Sequence, residues 1–438
     1  MQQNKGNLVA LGSIPLMMTL GNSMLIPVLP EIGRKLHVSS FRISMLITVY
    51  AVVAILLIPI AGYLSDRFGR KAVIVPCLIL TVIGGGISAV GAWLLHDLAA
   101  YWTIIAGRLL QGAGAAGAFP IVIPLVGDLY ENEDEASKNL GVVETYNTFG
   151  KVLSPILGAA LGAVLWFLPL AVIPGLCLIS LILVIRLIHV PKRKNQPIRF
   201  REFVGNVKQV LAEKGRWLYA IFAMGGICMF VIFGVLFYLS DILESRYNLH
   251  GVWKGFVLAI PLISLCLCSY LGGKVIGKHK KRMKWIGFGG LAILTISFAI
   301  LGFFQHIYAV IGLFTLGGGG IGLALPCLDA LITKGIEKEE RGTITSLYSS
   351  MRFVGVSLGP PVVSLLIGSS GHGLLFGVMA AVGGIAALLM LFAVKPEQDE
   401  PAGGKSSDRS HKTKGMTYVS REKPLSSKLR HKTPAKYK

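Results

Sequence analysis

Gly62-Tyr-Leu-Ser-Asp66-Arg67-Phe-Gly69-Arg70-Lys71 closes one apolar run, 43–64, and precedes the next, 72–94. Each run is long enough for a helix of ~20 residues to cross a hydrocarbon core of ~30 Å. A polar link of this size, carrying Arg67, Arg70 and Lys71, therefore reads as a turn at a membrane surface. Working outward, ten more apolar runs follow the same pattern: 8–30, 99–127, 139–164, 168–189, 217–240, 252–276, 285–305, 307–332, 343–368 and 373–394. The spacing predicts an all-α membrane protein with 12 transmembrane helices. A transmembrane β-barrel would need strands of ~10 residues alternating apolar and polar. The continuous runs Leu176 to Ile185 and Leu374 to Phe392 contradict it.

Composition agrees. The 438 residues are 53% hydrophobic and 15% charged, against about 25% charged in soluble domains. The net charge of +21 reads as topology. With the N-terminus inside, 35 of the 43 Lys and Arg fall on the inner side and five, Arg34, Lys35, Arg42, Arg246 and Lys254, on the outer. Arg108, Lys151 and Arg352 lie within helices. Such asymmetry places both termini in the cytoplasm, of a multi-pass protein of the cell inner membrane, and calls for no nucleic acid. The six cysteines sit in apolar runs without metal or redox spacing, as small packing residues.

The chain divides into an N-terminal six-helix bundle, 1–189, a cytoplasmic linker, 190–216, a second six-helix bundle, 217–394, and a basic tail, 395–438. The tail holds twelve Lys/Arg and five Asp/Glu; it is too polar to fold alone and suits anionic lipids. The halves repeat weakly. Gly62–Lys71 answers to Gly273–Arg282 at a shift of 211 residues, Ser154-Pro155 to Gly359-Pro360 at 205, and Phe119-Pro120 to Leu325-Pro326 at 206. Near-equal shifts point to two pseudo-symmetric six-helix bundles, an architecture of secondary transporters with the substrate between the halves.

At this point the sequence resembles the major facilitator superfamily. Gly62–Lys71 matches every fixed position of that family's G-x-L-[SA]-D-[RK]-x-G-R-[RK] signature. Arg108-Leu-Leu-Gln111-Gly112-Ala-Gly114 fits R-x-x-Q-G-x-G in the fourth helix. Gly150-Lys-Val-Leu-Ser154-Pro155-Ile-Leu-Gly158-Ala159 follows the G-x-x-x-G-P-x-x-G-G of 12-helix drug:proton antiporters, with Ser and Ala replacing two glycines. The resemblance covers about 8–394. It implies that Gly62, Asp66, Arg67, Gly69, Arg70 and Lys71, with Asp128 at the end of the fourth helix, form a conformational latch. The plainer reading is a static anchor.

Charges inside the membrane are costly and mark function by default. Arg108 and Gln111 share a face of the fourth helix. Glu144 and Lys151 share one of the fifth, with Asn147 between them, about 10 Å apart along the axis, too far for ready contact. These residues either line a polar cavity or tie helices 4 and 5 together. In the second half, Asp329 lies near the inner end of the tenth helix and Arg352 within the eleventh. A proton-coupled carrier needs a buried carboxylate near a cation; Glu144 is the first choice and Asp329 the second. Asn22, Met24 and Ile26 are candidate lining residues. Gly150, Ser154, Gly158 and Gly162 form a small-residue stripe for close helix packing, with the other half as one candidate partner. Pro15, Pro27 and Pro30 interrupt helix 1, and Pro120 and Pro124 interrupt helix 4. Gly317–Gly320 serves packing or bending. Gly272–His279 only approximates a phosphate loop, since His279 replaces the needed hydroxyl. No cofactor or metal is implied, and no enzymatic constellation.

The expected function is secondary active transport by alternating access: proton-coupled export of a small apolar or amphipathic compound, by a monomer. The alternatives are a proton-coupled carrier of a sugar, metabolite or lipid-linked precursor, and a receptor that does not transport.

Overall fold

In the computed structural model the described residues are 2–130, 133–189, 200–276, 280–304, 306–336, 341–369 and 371–394. The tail 395–438, residues 190–199 of the linker 190–216 and Gly277–His279 lie outside them, whereas 200–216 of that linker already belong to a helix. Among the described residues the chain is helical. In order the helices are α1 (Gln2–Ser23), a 3-10 turn (Ile26–Val28), α2 (Leu29–Lys35), α3 (Ser40–Phe68), α4 (Arg70–Leu94), α5 (Asp97–Ala118), α6 (Val122–Leu129) and α7 (Glu133–Val164). They continue with α8 (Leu168–Leu187), α9 (Phe200–Ser245), α10 (Gly251–Ile276), α11 (Lys280–Leu301), α12 (Ile307–Gly335), α13 (Arg341–Ser369) and α14 (Gly371–Phe392).

Eleven spans among the described residues are long and apolar enough to cross a membrane. The twelfth crossing, α7, has 32 residues but is less apolar, because Glu144, Asn147 and Lys151 interrupt it. Large apolar side chains such as Leu56, Ile83, Ile182, Leu267 and Leu316 face outward, where hydrocarbon would cover them. Trp93, Trp102, Trp253 and Tyr308 are exposed at one end of the helices, and Tyr270 and Trp285 toward the other. Aromatic residues at those depths suit the two headgroup regions.

Proline shapes the crossings less uniformly than the sequence suggests. Pro27 and Pro30 do break the first crossing into α1, the 3-10 turn and α2, but Pro15 lies within unbroken α1. In the fourth crossing the break falls at Phe119–Ile121, around Pro120. Pro124 sits in the first turn of α6, where its missing N–H costs nothing.

The stretch 62–71 also differs from a polar turn. Residues 62–68 continue α3, and Gly69 alone separates α3 from α4. Its φ of 101° and ψ of 149° suit glycine alone. Hydropathy reports where the chain leaves the membrane; the helix runs on past that point.

The described residues to Val394 pack as one unit. α1, α3, α4, α5, α7 and α8 pack among themselves, as do α9 to α14. α3 against α13 and α7 against α10 join the two sets. The stripe Gly150, Ser154, Gly158 and Gly162 faces the first crossing of its own half, contrary to one expectation. A Cβ on Gly150 would lie 3.2 Å from Leu16 O, and one on Gly158 would strike Met24 O. The other half is met by the neighbouring surface, where Gly255 of α10 lies under Pro155 and Ala159. Gly112 lets α5 approach the backbone of Tyr50 on α3. Gly318 and Gly320 pack α12 on Pro261 and Gly290 within an unbroken helix.

Candidate functional site

A cavity lies between the two sets of helices at mid-length, with room of about 110 Å³, enough for several waters. Its polar wall is Thr19, Asn22, Asn147, Lys151, Ser349 and Arg352; its apolar wall includes Tyr50, Phe119, Phe233 and Phe353. Tyr50 and Phe353 bring their rings within 6.3 Å across the halves. Of the lining candidates on the first crossing, Asn22 lines the cavity. Met24 and Ile26 are buried elsewhere.

Two cations line this cavity, Lys151 from one half and Arg352 from the other, and each is paired with a carboxylate beyond the lining. Lys151 Nζ is 4.0 Å from Glu144 Oε1 on α7. The long lysine stem closes a gap that axial spacing alone leaves open. Asn147 Nδ2 donates to both Glu144 oxygens at 3.1 and 3.2 Å, and Thr19 Oγ1 donates to Asn147 Oδ1 at 2.6 Å. Opposite, Arg352 lies 3.8 Å from Asp329 Oδ1, with its guanidinium 5.7 Å from the Tyr348 ring. The pairs feel each other's charge: Lys151 interacts with Arg352 and Asp329, and Arg352 with Glu144. The carboxylates are the accessible members. Glu144 is 56% exposed and Asp329 45%, against 18% for Lys151 and 21% for Arg352. Glu144 is thus accessible and not a buried carboxylate, a correction to the sequence reading.

Arg108 is 1% exposed and stands behind the cavity wall. Its Nε donates to Leu46 O at 2.8 Å, Nη1 to Gln111 Oε1 at 2.8 Å and Nη2 to Asn22 Oδ1 at 2.6 Å. Its guanidinium stacks 4.3 Å from the Tyr50 ring centre. It therefore fixes two lining residues, Asn22 and Tyr50. The hub ties α1, α3 and α5 together, where the sequence suggested the fourth and fifth crossings.

At the end of the helices that carries Gly69, Arg70 gathers the loop charges without leaving its own half. It donates to Ser65 Oγ at 2.7 Å and pairs with Asp66 at 2.7 Å and Asp128 at 3.0 Å. Lys71 Nζ donates to Ile185 O and Ile188 O at the end of α8. Arg67 donates to Tyr63 Oη at 3.3 Å and lies over Phe68. A Cβ on Gly62 would lie 3.6 Å from Ser346 Oγ of α13.

One buried pair escaped the sequence reading. Lys254, counted there among outer loop residues, is 2% exposed and binds Glu244 Oε2 at 2.7 Å. A lysine two positions inside an apolar run and an acid four past the end of another are faint signals, and their meeting depends on tertiary structure.

A mid-depth cavity between two helix sets, walled by paired charges and aromatics, defines a polytopic secondary transporter. The Major Facilitator Superfamily profile matches residues 11–360 and 298–433, and the chain belongs to that superfamily. It is 51% identical over 395 residues to the bacillibactin exporter of Bacillus subtilis (strain 168), covering 90% of this chain and 98% of that one. It is 26% identical over 386 residues to the class C tetracycline resistance protein of Escherichia coli, covering 84% and 91%. Among solved structures, a D-xylose-proton symporter superposes with a TM-score of 0.72 at 16% identity, covering 89% and 98%. The chain is accordingly a membrane transporter of the efflux type for a small molecule.

Proposed function

We propose that this chain exports bacillibactin, or a compound like it in polar and ring content, in exchange for protons. The observation that carries this is that Lys151 and Arg352 line one aromatic cavity from opposite halves, each paired behind the lining with a carboxylate, Glu144 or Asp329. With Arg108 removed to the wall, two cations and two carboxylates balance. Such a site favours a ligand that is neutral on balance and offers both hydrogen-bond donors and acceptors. The aromatic wall holds its rings. Substrate donors need ionised carboxylates. Protonating Glu144 or Asp329 removes an acceptor and loosens its pair, so proton and substrate exclude each other, which is the condition for exchange.

In this reading Gly69 marks the cytoplasmic end, the two six-helix halves 1–189 and 217–394 rock about the cavity, and a monomer suffices. Asp66, Arg67, Arg70, Lys71 and Asp128 act as a latch that reorganises with each turnover. The basic tail lies on anionic lipid of the inner membrane. The test is complementation. A strain that makes bacillibactin but cannot release it should secrete it again when this chain is expressed. Intracellular retention with the chain present in the membrane would refute the substrate.

A further inference from the structure

Beside the cavity, the second half holds a smaller apolar pocket between α9, α10 and α12, with α11 behind it. The two share the wall residues Ile232, Leu236 and Leu262, so the pocket is a side chamber of the cavity. Its far wall is Phe298 and Phe314, whose rings stack with centres 5.6 Å apart. Phe376 braces both, at 6.1 and 5.8 Å. Tyr238 meets Phe376 edge-on at 5.1 Å, and its hydroxyl is hydrogen-bonded to His372 Nδ1 at 2.7 Å. The far wall is therefore fixed from behind. The described side chains that line the chamber carry no polar atom. A buried water needs about two to four polar partners, so this lining favours an apolar occupant.

The internal repeat explains why the chamber lies in this half. The shift of 206 residues that matches Leu325-Pro326 with Phe119-Pro120 also sets Phe314 against Arg108, Gly317 against Gln111 and Gly318 against Gly112. The packing keeps this correspondence. A Cβ on Gly112 would strike Tyr50 O, and one on Gly318 would lie 2.6 Å from Pro261 O, 211 residues after Tyr50. In the first half Arg108 and Gln111 fill the space between α3 and α5 with a hydrogen-bonded hub. In the second, Phe314 packs onto Phe298 and Gly317 has no side chain. That leaves room of about 20 Å³, that of one or two water-sized groups. We propose that this chamber receives a short aliphatic branch of the exported compound while Lys151 and Arg352 meet its polar part, and that the Phe298–Phe314 wall sets the longest branch accepted. The proposal rests on the transport reading. It gives the glycine run of α12 a role beyond packing, since a Cβ at Gly317 would lie 2.8 Å from the Phe298 ring.

The probes are N-alkyl 2-hydroxybenzamides, which hold a ring, two donors and an acceptor constant and vary only the alkyl arm. Binding to the purified full chain in lipid nanodiscs is read from thermal stabilisation, since a ligand of the folded state raises the midpoint. Affinity should rise about fourfold per methylene from methyl to propyl, as each is buried, and stop rising at butyl. Gly317→Ala should flatten the rise while the methyl amide binds as before. Phe314→Leu, which draws back the end wall, should extend the rise to butyl and beyond. Ligand-free midpoints show which variants are folded; if Gly317→Ala is not, Phe314→Leu decides. A flat, absent or uninterrupted response across the series, or a cut-off that stays in place in the folded variants, overturns the chamber. Bacillibactin retained in the complementation assay, with the cut-off present and moved by Phe314→Leu, refutes the substrate and leaves the chamber standing.

Discussion

Arg108→Lys keeps the charge of the fourth crossing and changes only its geometry. A subsite that merely needed a cation would tolerate it. The structure assigns Arg108 three bonds on three partners: Leu46 O, Gln111 Oε1 and Asn22 Oδ1. A lysine ammonium on a shorter reach can satisfy one of these and cannot stack flat on Tyr50. Two lost bonds to buried acceptors cost about 1–1.5 kcal/mol each, so the variant should lose about 2–3 kcal/mol. At roughly 2 °C per kcal/mol for a long chain, the thermal midpoint in detergent should fall by about 4–6 °C. Transport should fall as well, because Asn22 and Tyr50 lose their support at the cavity wall. The paired assay is a melting curve on purified protein and export from cells at matched expression. An Arg108→Lys protein that melts and exports like the parent would refute the hub and return Arg108 to direct substrate binding.

Asp329→Asn should abolish substrate movement driven by a pH gradient in inverted vesicles while sparing exchange of labelled for unlabelled substrate. Loss of both would show a purely structural role. Glu144→Gln should act in the same direction; export intact at every pH tested would remove it from proton coupling. Asp128→Asn takes one of the two carboxylates from Arg70 and should slow turnover by about tenfold with little change in substrate affinity, read as kcat against KM. Gly69→Ala meets no atom within 4 Å, so its cost is backbone strain alone, about 1–3 kcal/mol, seen as a lower melting midpoint.

The fold was legible because a hydrocarbon core imposes one rule, ~20 apolar residues per crossing, and the runs from 8 to 394 obey it. The helix ends were less legible. Residues 62–68 are polar yet helical, since backbone hydrogen bonding continues after the membrane stops demanding apolar side chains. The site was legible by type and only partly by role. Intramembrane charge identified Arg108, Lys151, Glu144, Asp329 and Arg352, but depth along a helix does not say which face a side chain takes. Arg108 turned toward the first crossing and Lys151 into the cavity. Lys254 was invisible because its partner carbonyl, Pro27 O, stands 227 residues away.

Moving Arg108 out of the cavity changes what the remaining charges imply. Counted along the sequence, three deep cations face two carboxylates, an excess that suits an acidic ligand. In space, Arg108 is held by neutral acceptors and an aromatic face, so its charge is dispersed behind the wall. What remains at the cavity wall is one cation from each half, with its carboxylate 4.0 or 3.8 Å away. Contacts that long are loose for charged pairs, whose bonds run at about 2.7–2.9 Å when fully formed. A group able to bridge a cation and its carboxylate can enter each gap, and the two gaps belong to different halves. A ligand filling both holds the halves together through itself, and its departure leaves the pairs to reform or to take protons. Under the proposed reading, exchange follows from the looseness of these pairs.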